Sequence, residues 1–331
     1  MKIGMKLATG ALLLAGFVAA DEGMWLLNNP PARQLKEKYG FEVTPAWLEH
    51  LQRSAVRFNN GGSGAFVSAD GLVLTNQHVG ADCVQKLGTR EKDYIHLGFT
   101  APARTEEPRC TDLELNVLYS IEDVTARVNS AVTAGMDAAA AQKARRAAIN
   151  SIEKESLDRT GLRSDVVMLY NGGQYHLYRY KKYTDVRLVF TPELDITFFG
   201  GDPDNFEYPR YNLDITFFRA YENGAPAKVG HYLKWSRDGA RDGDLVFIAG
   251  NPGRTDRQNT VAHLEFLRDF LEPRSLDGLR RLEVRLGGYS SRNLENARRA
   301  QEDLRMVQNS RKARLGALAG LQDPAVMERK R

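Results

Sequence analysis

Two cysteines are all that 331 residues contain, and neither belongs to a Cys-x-x-Cys pair, so thiolate metal chelation has no support. The six histidines form neither a His-Glu-x-x-His signature nor any other ligand pair at helical spacing, which removes a zinc site. Asp202, Asp204 and Asn205 lie in an acidic run, but the glycine and distal glutamate of a calcium loop are missing. The segment Gly250–Thr255 lacks the Gly-Lys-Ser/Thr ending of a phosphate loop and reads as a turn. No metal and no cofactor are expected. Charge of one sign is scarce as well: 46 basic against 42 acidic residues leave +4, too little for a strong attraction to polyanions. The basic excess of residues 271–331 is interleaved with acids and reads as a solvated helical face, so no nucleic-acid partner is expected.

Long apolar runs are absent beyond the first twenty residues. There, Lys2 and Lys6 precede an apolar stretch from Leu7 to Ala20, with small residues before Asp21. That stretch is too short for a spanning helix and has the form of a secretory signal peptide, residues 1–20. The expected mature protein is exported, which argues against a nucleic-acid partner and for a Cys83–Cys110 disulfide, two buried free thiols being the alternative.

The remaining length suffices for two domains. Helix-start signals at Pro31 and at Thr44-Pro45 predict helices before residue 60. Ala65–Ser68 and Leu72–Thr75 predict a hairpin across Asp70-Gly71. Further strands are expected at 113–119, 166–170, 175–180, 186–190, 215–218 and 244–249, with a helical insertion over about 121–158. From Leu264 onward the chain reads as charged helix. No internal repeat or low-complexity tract is visible.

His78 is the histidine with a setting suited to chemistry. It follows the apolar strand Leu72–Thr75 and is expected at the start of a loop, where its ring is both held and open. Asp214 occupies the corresponding place before the apolar strand at 215–218. A carboxylate there can fix a histidine tautomer and stabilise the imidazolium during acyl transfer. Histidine first and aspartate second predicts a serine later in the chain, and no convincing one occurs before Arg331. Ser63, flanked by Gly62 and Gly64, precedes His78 closely and lacks the following helix of a nucleophile elbow, so it reads as a glycine-lined strand start. His176 alternates with Tyr175 and Tyr178 and reads as a wall or core residue, while His50, His96 and His263 read as surface residues.

Several segments together carry a resemblance. Asp21–Trp25, Gly71–Val79, Gly173–Phe190, Phe199–Arg210 and Gly250–Thr255 resemble the bacterial dipeptidyl-peptidase 7 / dipeptidyl-peptidase 11 family. The resemblance implies a mainly β fold with α: a chymotrypsin-like β-barrel peptidase domain, here 21–265, followed by the start of an inserted α-helical domain, 266–331. It implies His78 as general base, Asp214 as its orienting partner, and Asn205 with Phe206 as the holders of a peptide's free amino terminus. An amide oxygen and a main-chain carbonyl can accept from an ammonium group, and an aromatic ring adds cation–π attraction. The implied activity is that of a periplasmic serine dipeptidyl-peptidase acting on oligopeptides, homodimeric among full-length relatives. The sequence departs from the pattern in having Gln77 and Val79 beside the histidine, and Phe206 where relatives often carry tryptophan. The family's nucleophilic serine lies further downstream, so a C-terminally truncated, inactive chain is expected. The alternative is a non-catalytic protein that captures amino termini.

Overall fold

The computed structural model describes residues 23–252 and 259–331. The signal-peptide segment and part of the Gly250–Thr255 turn fall outside the described residues. The chain divides into two units between Val43 and Thr44. In the first, a Leu26–Asn29 bridge precedes α1 (Ala32–Tyr39). Gly40, at φ 63°, stops that helix in the left-handed conformation that favours glycine.

The second unit opens with α2 (Pro45–Ser54), where the Thr44 hydroxyl accepts from the Trp47 N–H and Pro45 fills the first turn. β1 (Ala55–Phe58), β2 (Ser63–Phe66) and β3 (Leu72–Thr75) follow, then α3 (Gln77–Leu87) and the single turn α4 (Tyr94–Leu97). The short strands β4 (Phe99–Thr100) and β5 (Arg109–Cys110) lead to β6 (Leu115–Asp123), and α5 (Thr125–Ser130) to the long α6 (Ala138–Thr160). Next come β7 (Arg163–Leu169), β8 (Gln174–Tyr183), β9 (Asp185–Thr191), the turns α7 (Leu194–Thr197) and α8 (Gly201–Asp204), β10 (Thr216–Glu222) and β11 (Ala225–Pro226). The final helices are α9 (Val261–Phe266), α10 (Glu272–Ser290), α11 (Leu294–Gln322) and α12 (Pro324–Glu328).

The strands join one antiparallel sheet in the order β4-β9-β10-β3-β2-β1-β6-β8-β7, with β5 on β9 and β11 on β10. Alternation puts Val56, Phe58, Phe66, Val73, Leu115, Val186, Leu188 and Phe218 into one core, each at 1% exposure or less. Burying a side chain of this size stabilises by about 1.5–3 kcal/mol. A second cluster, Val124, Val128, Ile152, Tyr175 and Leu177, seats α5 and α6 on β8. The sheet is the scaffold, although helix accounts for 46% of the described residues and strand for 20%.

Three local expectations are corrected. The helical insertion starts later than Ile121, because Ile121 and Asp123 still pair with Tyr178 and His176 across β6 and β8. Residues 245–249 form the unbroken apolar run expected of a strand, yet no described strand pairs with them, and Val246 and Ile248 are left 63% and 98% exposed. The segment after Thr75 is helix α3 rather than a loop, with Asn76 extended at its cap. Cys83 lies on that helix and is bonded to Cys110, 27 residues on, which ties α3 to β5. His176 is buried in β8, as its alternation predicts.

Candidate active site

The pairing of β3 with β10 brings the two sequence-predicted groups together. Thr75 lies opposite Thr216 in an antiparallel register, so the residues leaving β3 run beside those entering β10. His78 leaves on one side and Asp214 enters on the other. A close approach of α3 completes the arrangement: a Cβ at Gly80 would sit 2.7 Å from the Phe218 ring of β10. Any side chain there would push the first turn of α3, and His78 with it, off the sheet.

His78 Nδ1 and Asp214 Oδ2 are 2.6 Å apart, and the other carboxylate oxygen accepts from the His78 main-chain N–H at 3.1 Å. Asn76 Nδ2 donates to the Asp214 carbonyl at 3.0 Å, closing the turn from the other side. The imidazole keeps 66% of its side-chain surface exposed and the carboxylate only 23%. That is the asymmetry a positioned base needs: the orienting oxygen covered, the ring open. The hydrogen bond that the His78 ring donates to Asp214 raises the His78 pKa above its ordinary value, against the opposing pull of burial. Burial works to raise the Asp214 pKa, but the bonds from the His78 ring and from the main-chain N–H groups of His78 and Gln77 outweigh it and lower it. Aspartate therefore holds the charge and histidine holds the proton at Nδ1.

Asn205 ends α8 and is buried, whereas Phe206 is 60% exposed and adopts a left-handed φ of 63°. A bulky residue in that region stores about 1–3 kcal/mol of strain. The Asn205 amide is fixed at both ends: Oδ1 accepts from Arg210 Nη1 and Nδ2 donates to Asn309 Oδ1, each at 2.9 Å. One lone pair of Oδ1 is left for a further donor. Ser63 lies in β2, where its Oγ accepts from the Asn251 N–H at 2.6 Å. Among the described residues no hydroxyl bonds to the His78 ring.

The residues that the sequence did not announce lie on α11. Gln85 of α3 donates to the Arg298 carbonyl at 3.1 Å, which docks α11 beside the His78 helix. Further along, Arg311 Nη2 reaches Asp202 Oδ2 at 2.9 Å and Lys312 Nζ donates to the Asp202 carbonyl at 2.8 Å. Between these moorings the same helical face carries Glu302, Arg305 and Asn309, spaced three and four residues apart. Burial raises the Glu302 pKa, partly offset by Arg305 and His78, and burial lowers that of Arg305. The spacing 298–302–305–309–312 was readable as a polar stripe, but nothing in the sequence said what it faces.

Comparison with known proteins gives the family of this chain. The profile described as Peptidase S46 matches residues 20–331. The chain is 32% identical over 265 residues to a dipeptidyl-peptidase 7 of Capnocytophaga gingivalis, covering 74% of this chain and 37% of that protein. It is 33% identical over 288 residues to an Asp/Glu-specific dipeptidyl-peptidase of Shewanella putrefaciens, covering 81% and 39%. The crystal structure of Porphyromonas endodontalis DPP11 in complex with the dipeptide Arg-Asp superposes with a TM-score of 0.85 at 25% identity, over 94% of this chain and 48% of that one. The chain thus spans about two fifths of the length of these curated relatives and about half of the solved chain.

Proposed function

The chain belongs to the peptidase S46 family, and from that premise we propose that it supplies the histidine–aspartate pair and the amino-terminus anchor of a serine-type dipeptidyl-peptidase. The observation that carries this reading is the 2.6 Å bond between a covered carboxylate and an open imidazole. In this role Asp214 keeps the proton on Nδ1, so Nε2 of His78 faces outward as an acceptor. A serine hydroxyl brought to Nε2 gives up its proton as its oxygen attacks the scissile carbonyl. His78 then returns that proton to the leaving amine. Asp214 stays ionised throughout and stabilises the imidazolium. Asn205 and Phe206 hold the ammonium group of the peptide, which sets how many residues lie between that end and the bond that is cut.

The substrates are oligopeptides with a free amino terminus, and the signal-peptide pattern puts the reaction in the periplasm. Residues 21–265 form the peptidase part and 266–331 a helical part. Hydrolysis of dipeptidyl-naphthylamides is the direct test: this chain alone is expected to be inactive, and the variants are read in a protein that also carries the serine. His78→Ala abolishes turnover, and Asp214→Asn lowers it by about 10⁴, the loss that a wrong tautomer causes in such a pair. Full turnover in His78→Ala would refute the reading.

A second reading has one observation in its favour: no described hydroxyl engages the His78 ring. On that reading the protein captures amino termini without cutting. Tripeptide binding without product release, unchanged in His78→Ala, distinguishes it.

A further inference from the structure

The histidine–aspartate pair makes no use of the two guanidinium groups beside it. Arg210 and Arg305 both lie over the ring of Phe198, with their Cζ atoms 5.3 and 5.1 Å from its centroid. Each keeps a buried N–H group without an acceptor among the described residues, Nε of Arg210 and Nη2 of Arg305. An unmet buried donor of this kind costs about 1–3 kcal/mol, so a pair of them beside a candidate site calls for a reason.

Countercharge around them is thin. Arg210 donates to the neutral amide oxygen of Asn205. Glu302, the carboxylate nearest Arg305 among its ion pairs, stands 3.8 Å away, too far for a hydrogen bond. Asp214 is already engaged by His78. Two cations sharing one aromatic ring with one loosely placed carboxylate are short of negative charge. A planar guanidinium with free N–H groups is suited to bidentate binding of a carboxylate.

We propose that Arg210 and Arg305, flanking Phe198, form a subsite for the side-chain carboxylate of the substrate's first residue, so that peptides beginning with aspartate or glutamate are preferred. The proposal rests on the reading of Asn205 as the ammonium anchor. Position in the site selects the first residue. Arg210 is bonded to the Asn205 amide itself, and Arg305 is one helical turn from Asn309, which closes on the same amide. The side chain nearest to both is that of the residue whose ammonium group Asn205 holds. Charge balance points the same way. An amino terminus entering beside two guanidinium groups adds a third cation, and a carboxylate on that residue offsets it.

Isothermal titration of this chain at low ionic strength with Glu-Ala-Ala-amide, Gln-Ala-Ala-amide and Ala-Glu-Ala-amide tests the proposal. The first peptide is expected to bind about tenfold more tightly than its isosteric Gln counterpart. Arg305→Met should bring that ratio to about one, and 0.5 M salt should narrow it. The wild-type comparison of Glu with Gln stands even if the variant folds poorly. Equal affinity for the two peptides overturns the subsite while leaving the anchor in place. A ratio that survives in a folded Arg305→Met, or an acidic preference at the second residue only, overturns it too. If none of the three peptides binds, the amino-terminus reading fails and the subsite falls with it.

Discussion

Replacing Glu107 by glutamine should destabilise the sheet at the strand that delivers Asp214. Glu107 is 3% exposed and takes the Arg219 Nε on both of its oxygens, at 3.0 and 3.2 Å. The Tyr221 hydroxyl donates to the same carboxylate at 2.8 Å, and Arg219 Nη1 donates to the Asp70 carbonyl at 3.1 Å. Both Arg219 and Tyr221 belong to β10, so the Glu107 carboxylate ties that strand to the segment before β5, while Arg219 also ties it to the turn at Asp70. Removing the charge leaves a buried guanidinium uncompensated, and breaking such a pair costs about 3–5 kcal/mol. Against a total stability of about 5–15 kcal/mol this is a large share. Urea unfolding followed by far-UV circular dichroism should show an earlier midpoint with an unchanged slope. The double replacement Glu107→Leu with Arg219→Met should recover much of the loss, because neither buried group is then left alone. A loss below about 1 kcal/mol in Glu107→Gln, the value of a surface pair, would refute the reasoning.

Two further predictions follow from the packing of α3. Gly80→Ala forces a methyl group against the Phe218 ring, so a loss of about 1–3 kcal/mol is expected by thermal unfolding. The same variant should impair any activity that depends on His78 more than it impairs peptide capture. Reducing the Cys83–Cys110 bond, which spans 27 residues, should cost about 3 kcal/mol in the chain-entropy picture, read as a lower melting temperature in reductant. An unchanged melting temperature would mean that the helix is held by its apolar contacts alone.

Local pattern made much of the fold legible. The hairpin across Asp70-Gly71 followed from turn chemistry, and the strands from 163 to 222 from alternation, because both signals lie within a few residues. His78 and Asp214 stood out because each borders an apolar strand. Their meeting was expected from the chain order and the family resemblance, not from local pattern, since it depends on the register of β3 against β10, 138 residues apart at the Asn76–Asp214 contact. Residues 244–249 show the opposite failure. An apolar, β-branched run there meets the requirement for a strand, but a ladder also needs a partner, and pattern says nothing of partners. The α11 contribution was hidden for a third reason. Glu302 and Arg305 look like ordinary charges on a solvated helix until the moorings at Arg298 and Lys312 turn that face inward.

The most direct measurement is an NMR titration of the His78 ring in the wild type and in Asp214→Asn. With the carboxylate in place the imidazole should titrate above the ordinary value of 6.5, and the asparagine variant should bring the midpoint down. The sign extends to stability. Between the ordinary aspartate value of 3.8 and the ordinary histidine value of 6.5 the stabilisation from their attraction is fully present. It fades as pH rises through the His78 value, and again as pH falls through that of Asp214. A His78 midpoint that is the same in both proteins would mean that the two groups do not interact in solution, and the proposed catalytic pair would be contradicted.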